Sequence, residues 1–185
     1  MAQPKIILLT GPADAGKSTV AEYLAHTHSF GRPKFANSIK AVMRVLGLST
    51  REIEGDLKEV PCAKLGGKTP RYAQQTLGTE WGRDLMYKDI WAEKAVRDVQ
   101  QIWDRFGEYP IVFDDARFQN EIDCIREAFE DVTVIKLVPA YEGYQPIKES
   151  EHQSENQTLD WDIAIENQDI SQLEGDIDAY LSGEL

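Results

Sequence analysis

Residues 11–18 of this 185-residue chain read Gly11-Pro12-Ala13-Asp14-Ala15-Gly16-Lys17-Ser18. The stretch matches the pattern G-x-x-x-x-G-K-[ST] at every fixed position. The aliphatic run Ile6–Leu9 precedes it, and the amphipathic segment 17–26 follows it. A buried strand, a glycine-rich turn and a helix in this order form the context of a phosphate-binding loop. The sequence therefore predicts a site for ATP or GTP.

The residues of this loop suit phosphate for separate physical reasons. Glycines let backbone N–H groups converge on a phosphate without obstruction by a Cβ atom, and the following helix adds the positive end of its dipole. Lys17 is expected to bridge the β- and γ-phosphates, and Ser18 to offer its hydroxyl to Mg²⁺. The residues expected to hold the nucleotide are Gly11, Ala13, Asp14, Ala15, Gly16, Lys17, Ser18 and Thr19.

The rest of the chain alternates between strand and helix patterns. Short apolar runs predict further strands at 111–113, 132–138 and 162–165. Amphipathic stretches predict helices at 37–46, 90–107 and 170–181, and Thr69-Pro70 predicts the start of another. This alternation is typical of an α/β fold with a largely parallel sheet. Residues of about 32–108 have no strand pattern, which predicts a helical insertion into a core of residues 1–31 and 109–185.

Charge and composition exclude several classes of protein. The net charge is −12, and residues 141–185 contribute −11 of it, from 12 acids and one base. A chain this acidic is a poor candidate for binding duplex nucleic acid by its phosphates. The longest aliphatic run, Ile6–Leu9, is too short to cross a bilayer and lacks the flanks and cleavage site of a secretory signal, so we expect it to be neither. The two cysteines do not form a disulfide framework, so we expect a reducing cytoplasm.

Two adjacent acids, Asp114 and Asp115, end the strand predicted at 111–113. An acidic side chain at the carboxyl end of a strand beside a phosphate loop typically holds a magnesium-bound water. Asp114 is favoured for the metal, together with Ser18. Asp115 is the alternative, or it faces the second substrate. The remaining possibility is that one of the two acids only caps the next helix.

Basic residues lie in and beside the insertion, at Lys40, Arg44, Arg71, Arg83 and Arg117. A kinase whose acceptor already carries a phosphate must neutralise two groups that repel each other, so it needs several cations beyond Lys17. Guanidinium groups match phosphate oxygens bidentately. Arg71 and Arg83 are favoured because they bracket Gln75 and Gly78 in one compact segment. The alternative for any single arginine is a solvated surface position.

Several motifs recur together with the phosphate loop in one order. They are Phe35-Ala36-Asn37-Ser38-Ile39-Lys40, Arg71-x-x-x-Gln75-x-x-Gly78-Thr79-x-x-x-Arg83, Asp115-Ala116-Arg117-Phe118-x-Asn120-Glu121, His152-x-Ser154-Glu155 and Ile165-Glu166-Asn167. The set resembles the phage-type deoxynucleoside monophosphate kinases, within the P-loop nucleoside monophosphate kinase group. The resemblance spans almost the whole chain, and its third and fourth motifs are much more restrictive than the phosphate loop.

This resemblance implies a fold and an activity. The fold is a three-layer P-loop kinase fold with a parallel sheet core, a helical monophosphate-binding insertion at about 32–108 and a short lid at about 140–160. The activity is ATP- and Mg²⁺-dependent phosphoryl transfer to a deoxynucleoside 5′-monophosphate, which gives the diphosphate. The implied setting is deoxynucleotide supply in the cytoplasm, that of the host if the protein is phage-encoded. No nucleic-acid or membrane partner is expected, and a homodimer is left open.

The resemblance also implies roles for single residues. Lys17, Arg71, Arg83, Arg117 and Asp115 are the implied catalytic residues. The implied acceptor-binding residues are Lys40, Arg71, Gln75, Trp81, Arg83, Trp91, Asp115, Arg117 and Glu121. Within this set, Gln75 and either Trp81 or Trp91 are expected near the acceptor base, and Asn167 near the adenine of ATP. The motif around His152 has no assigned role, and a polar turn explains it equally well.

Two other functions fit the same residues. The first is phosphorylation of another small metabolite, such as dephospho-coenzyme A, gluconate or shikimate. The second is a non-catalytic ATP-binding module or regulatory switch, which binds nucleotide without acceptor-stimulated turnover. The cation-rich insertion favours an enzyme. The identity of the base depends on contacts that the sequence does not reveal.

Two substitutions separate donor from acceptor binding. We expect Lys17→Ala to abolish phosphoryl transfer and to impair ATP binding, because Lys17 contacts the donor phosphates. We expect Arg71→Ala to abolish transfer while ATP binding persists, because Arg71 serves the acceptor. Equilibrium binding of ATP and steady-state turnover test both. Robust turnover by Arg71→Ala would contradict the acceptor-phosphate role.

Overall fold

The aliphatic run before the phosphate loop forms an inner strand of a parallel sheet. The computed structural model describes residues 5–144 and 159–185. Within these residues the sheet has four strands, β1 (Ile6–Thr10), β2 (Ile111–Phe113), β3 (Val132–Pro139) and β4 (Ile163–Asn167). Their order is β2-β1-β3-β4, and all neighbours are parallel. The carboxyl ends of all four strands therefore lie on one edge of the sheet, where ligands of such folds bind.

Helices connect these strands and cover the sheet. They are α1 (Lys17–Thr27), α2 (Asn37–Val45), α3 (Thr50–Ile53), α4 (Pro70–Thr76), α5 (Ile90–Phe106), α6 (Gln119–Ala128) and α7 (Ile170–Ser182). A short 3₁₀ turn spans Ala63–Leu65, and a π-helical segment spans Leu77–Met86. α2 to α5 and both of these segments lie in the predicted insertion, whose residues 32–108 are all described and contain no strand.

Alternate side chains of the strands enter two apolar layers. On one face Ile7 and Leu9 pack with residues of α1 and α7, including Leu24 and Ile177. On the other face Ile6 and Leu8 belong to the layer that holds apolar residues of α5 and α6. Each face of a parallel sheet must be covered in this way. The prediction of a three-layer α/β fold with a parallel sheet core is confirmed.

The insertion has a small apolar core of its own. Met43, Leu48 and Ile53 are buried together, with Leu65 and Leu77 packed against them. Ser49 and Glu52 form a reciprocal capping box at the start of α3. The helix expected from Thr69-Pro70 begins at Pro70, and the Thr69 hydroxyl accepts the Tyr72 N–H at 3.1 Å.

The start of the insertion is attached to the tip of β2. The Gly31 carbonyl accepts the Val112 N–H at 2.8 Å, and the Phe35 ring stacks on Phe113 with centroids 4.7 Å apart. Asp115 accepts the N–H groups of Phe35 and Ala36, each at 3.1 Å. Ala36 precedes the first residue of α2, and the first turn of this helix contains no acidic residue. Asp115 therefore supplies the carboxylate at the amino end of the helix.

Some boundaries differ from the sequence prediction. α2 begins at Asn37 as predicted and ends at Val45, one residue before the predicted end. β4 begins one residue later than expected and continues to Asn167. The predicted lid at 140–160 lies mostly outside the described residues, as do Lys148, His152, Ser154 and Glu155. No helix of the described chain is both long and apolar enough to cross a membrane.

Gly82 tests the packing of the π-helical segment against α5. A Cβ atom at Gly82 would lie 2.6 Å from Trp91 Nε1 and 2.7 Å from Cζ2. We expect Gly82→Ala to destabilise the fold by about 1–3 kcal/mol, because the indole must move. Gly175→Ala, in α7 with open space around the new Cβ, is the matched control and should stabilise by about 0.5–1 kcal/mol. Urea unfolding measures both, and equal effects would contradict this packing.

Candidate active site

The phosphate loop joins β1 to α1 and depends on two glycines. Gly11 has φ 129°, and a Cβ there would lie 2.4 Å from the Leu137 carbonyl oxygen of β3. Gly16 has φ 96°, and its Cβ would lie 2.7 Å from Asn167 Nδ2. Both positions exclude side chains by conformation and by space. The loop therefore packs closely against the carboxyl ends of both β3 and β4.

Asn167 holds the loop from the end of β4. It is buried, and its Nδ2 donates to the Ala15 carbonyl at 3.1 Å. The sequence placed Asn167 near the adenine of a bound nucleotide. In the structure its side chain supports the backbone of the loop, while Ala13 and Asp14 are exposed on the loop and Thr19 lies in the first turn of α1.

The Lys17 side chain is partly buried, and the positive charge of Arg117 acts on it. Its ammonium donates to the carbonyls of Gly11 (2.8 Å) and Pro12. Burial and repulsion by Arg117 lower the pKa of Lys17 to about 8, although Asp114 and Asp14 act in the opposite direction.

Asp114, at the end of β2, faces the first residues of α1. Its Oδ2 accepts the Ser18 hydroxyl at 3.1 Å and the Arg32 guanidinium at 2.5 Å. Lys34 Nζ lies 3.2 Å from Oδ1. Burial raises the pKa of Asp114, but Arg32 and Lys34 together outweigh burial and keep it below its ordinary value. Asp114, and not Asp115, is therefore the acid next to Ser18.

The residues at this point fit a magnesium ion. Asp114 is buried, and its Oδ1 accepts no hydrogen bond from any described residue, although Lys34 Nζ lies 3.2 Å away, so this oxygen could reach a metal beside the Ser18 hydroxyl once that ammonium moves. Hard oxygen donors of this kind suit Mg²⁺, which keeps several waters and takes other ligands from substrate phosphates. No group of three or more His, Cys, Asp or Glu side chains in the described chain could hold a metal alone. The site suits a metal that arrives with a nucleotide.

A cavity between the insertion and the tip of β2 adjoins this position. Its lining residues come from the segment before α2, from α4, from the π-helical segment and from the turn after β2. Among the charged residues of its described lining, basic residues outnumber acidic ones. The basic residues are Lys34, Lys40, Lys58, Arg71, Arg83 and Arg117, and the acids are Asp115 and Glu121. Such an excess of positive charge favours an anionic ligand.

Four of these cations form one end of the cavity. Burial lowers the pKa of Lys58, and the neighbouring charges of Arg71, Arg117 and Lys40 lower it further. The Arg71 N–H donates to the Lys58 carbonyl at 3.0 Å. Arg71 also pairs with Glu59, and Lys40 with Glu54 at 3.3 Å. Lys34, which also lines the cavity, lies 3.2 Å from Asp114, and Asp114 accepts the Ser18 hydroxyl, so the cavity adjoins the phosphate loop through these two residues.

The lining also contains a buried ion pair and aromatic rings, and the Arg117 backbone N–H donates to Glu121 of this pair at 2.7 Å. Arg83 pairs with Glu121, and its guanidinium lies 3.9 Å from the centre of the Phe118 ring. Both Arg83 and the Trp91 indole donate to the Gly78 carbonyl, at 3.0 and 2.7 Å. Burial raises the pKa of Glu121 to about 7, although the charge of Arg83 acts to lower it. Burial also lowers the pKa of Arg83. A buried pair of this kind offers little net charge to a phosphate.

The cavity collects most of the predicted acceptor residues but not all of them. Lys40, Arg71, Gln75, Arg83, Trp91, Asp115, Arg117 and Glu121 line it. Trp81, the alternative to Trp91 for the acceptor base, instead lines an apolar groove on the insertion with Val42 and Leu46. Asp115 directs both carboxylate oxygens to backbone N–H groups, and burial raises its pKa. Its observed contacts therefore position the insertion.

Several lining residues were missed by the sequence reasoning. Lys34 and Lys58 lie in segments without a clear pattern, and Gln74 was passed over for its neighbour Gln75. Arg32 was not singled out, although it pairs with Asp114 across 82 residues. Phe35 was quoted only as part of a motif. Lys34 could have been found from the sequence by its position immediately before that motif, at the start of the predicted insertion.

Comparisons with known proteins bear on the fold. No protein-family model matches the chain, and no curated protein matches its sequence. A sugar kinase from Janibacter sp. HTCC2649 superposes with a TM-score of 0.55 at 15% identity, covering 97% of this chain and 95% of that one. TT1252 from Thermus thermophilus gives 0.50 at 14% identity, covering 98% of both chains.

A third similar structure was solved with ligands. The APS kinase from Mycobacterium tuberculosis, in complex with AMPPNP and APS, gives a TM-score of 0.50 at 10% identity. The similarity covers 98% of this chain and 99% of that one. At such identities the likeness establishes the fold alone, which is the α/β fold of P-loop kinases.

The lowered pKa of Lys17 predicts a proton linkage. Bound phosphates stabilise the ammonium, so nucleotide binding should raise the pKa of Lys17 from about 8 and take up about half a proton at pH 8. Affinity for Mg²⁺-AMPPNP should then fall as the pH rises above 8. Calorimetry in buffers of different ionisation enthalpy measures the uptake. Lys17→Arg, which stays charged, should show none, and an uptake equal to that of the wild type would contradict the assignment.

Proposed function

We propose that this protein is a kinase that transfers the γ-phosphoryl group of ATP, with Mg²⁺, to a deoxynucleoside 5′-monophosphate. The observation that carries the proposal is the cation-rich cavity, which adjoins the phosphate loop through Lys34 and Asp114. One anion-binding site for the donor and a second for an already phosphorylated acceptor are what such a reaction needs. The resemblance of the motifs to phage-type deoxynucleoside monophosphate kinases supports the same substrate class and a cytoplasmic setting.

The polarity of the cavity supports an acceptor with a charged and a flat end. Lys40, Lys58, Arg71 and Arg117 all line the cavity, and the charges of the other three act on Lys58. Phe35, Trp91 and Phe118 line the cavity together with the side-chain amides of Gln74 and Gln75. A nucleobase suits such a lining, because its faces are apolar while its edges form hydrogen bonds. The acceptor phosphate would then point towards the donor.

Catalysis by this arrangement is positioning and electrostatic stabilisation. The acceptor phosphate is already ionised at neutral pH, so no strong general base is required. Lys17 and the loop N–H groups would hold the donor, and Arg71, Arg117 and Lys58 the acceptor, so that the two phosphates meet in line. When bound, Mg²⁺ would supply additional positive charge between the donor oxygens, and Ser18 and Asp114 are the residues that would hold it.

An acceptor panel tests the proposal directly. With ATP and Mg²⁺, we expect ADP release to be stimulated by deoxynucleoside monophosphates and less by the ribonucleotides. Dephospho-coenzyme A, gluconate and shikimate are the competing acceptors, and a reaction without acceptor gives the background. Turnover with one of these metabolites alone would replace the proposed substrate. Tight nucleotide binding with no acceptor-stimulated turnover would identify a non-catalytic module.

Lys58 provides a specific prediction within the cationic end. We expect Lys58→Met to raise the KM for the monophosphate about 10–100-fold, because a charge-assisted hydrogen bond to phosphate is lost. The KM for ATP should change little. The matched control is Lys64→Met, since Lys64 pairs with Glu52 on the surface of the insertion. An unchanged acceptor KM in Lys58→Met would contradict the assignment of this end to the acceptor phosphate.

A further inference from the structure

One buried carboxylate lies between the two proposed substrate sites. The Asp114 side chain is 1% exposed and contacts Arg32, Lys34 and Ser18. Lys34 Nζ is 3.2 Å from one carboxylate oxygen and 3.3 Å from the other. Asp114 is also the residue that fits the metal of the donor. The counter-cations that it has in this structure must therefore adjust when a divalent ion arrives.

The two counter-cations differ in what else they contact. Arg32 is anchored on its other side by Glu22 of α1 at 3.1 Å, and it does not line the acceptor cavity within the described chain. Lys34 does line that cavity. The backbone that follows Lys34 is fixed, since Phe35 and Ala36 donate to Asp115. Lys34 thus has a fixed base and a flexible stem that reaches both Asp114 and the cavity.

We propose that Lys34 is a shared cation that couples the donor and acceptor sites. With the phosphate loop empty, its ammonium neutralises Asp114. When Mg²⁺ and ATP occupy the loop, the ammonium is repelled from Asp114 and turns to the phosphate of the acceptor. This inference rests on the proposed function, because it requires both a donor metal and a phosphorylated acceptor.

The direction of the coupling follows from elementary electrostatics. Without the donor, an acceptor that uses Lys34 must compete with Asp114 for its ammonium. The opposite charges of Lys34 and Asp114, 3.2 Å apart, attract each other strongly in a partly buried site. With the donor bound, that competition is removed. Acceptor affinity should therefore rise on donor binding by more when Lys34 is present than when it is absent. By linkage, the acceptor should improve donor binding by the same factor.

The test is a binding cycle that requires no turnover. The Kd of each deoxynucleoside monophosphate is measured by calorimetry with and without saturating Mg²⁺-AMPPNP, and the ratio of the two values is the coupling factor. We expect Lys34→Met to reduce this factor at least about fivefold relative to the wild type. Lys34→Arg should restore much of it. Lys34→Gln is the substitute if the methionine variant unfolds.

Arg32→Gln is the matched control, because Arg32 also contacts Asp114 but lies outside the described lining of the cavity. We expect it to alter the affinity for Mg²⁺-AMPPNP while the coupling factor stays near that of the wild type. An equal loss of coupling in both variants would overturn the role of Lys34, because disturbance of Asp114 would then explain the result.

Two outcomes separate this inference from the proposed function. If the wild type binds AMPPNP but no nucleoside monophosphate, the proposed function fails and the coupling with it. If the wild type binds both and Lys34→Met keeps the wild-type coupling factor, only the role of Lys34 is overturned. A reduced factor in Lys34→Met, with restoration in Lys34→Arg, supports the coupling.

Discussion

The carboxylates at the tip of β2 connect the parts of the molecule that the proposed chemistry requires. Asp114 reaches Ser18 on the phosphate-loop side and two cations on the insertion side, while Asp115 accepts two backbone N–H groups at the start of α2. Burial makes both acids costly unless they are neutralised or hydrogen-bonded, so these contacts are energetically required. The start of the insertion is therefore docked to the sheet through these polar contacts and the Phe35–Phe113 stack, while α5 at its end packs on the sheet through apolar residues such as Ala95 and Val99.

The parts of the fold that follow local rules were predictable from the sequence. The phosphate loop has a fixed spacing, and the strand and helix before and after it are short-range patterns. The Thr69-Pro70 start of α4 and the long amphipathic α5 were predictable for the same reason. Strand order was not, because the pairing of β1 with both β2 and β3 joins residues more than a hundred positions apart.

The candidate site was likewise predictable only where its residues belong to recognisable motifs. The resemblance of the motifs led to Arg71, Gln75, Trp91 and Arg117, all of which line the cavity. It did not separate Trp91 from Trp81, whose ring centre lies 6.5 Å from that of Trp91 but which lines the apolar groove of the insertion instead of the cavity. Nor could it find the Arg83–Glu121 pairing, which depends on the docking of α6 against that segment.

The separate core around Met43, Leu48 and Ile53 has a consequence for how such a protein diversifies. Under the proposed function, substitutions in α2 to α4 that reshape the cavity would be absorbed by this local cluster, whereas α5 packs on the sheet and is less free to vary. Selection could then act on the choice of acceptor with little effect on the handling of ATP. A chimaera that exchanges α2 to α4, with α5 and the acids at the tip of β2 retained, is the natural unit for engineering new acceptor preferences.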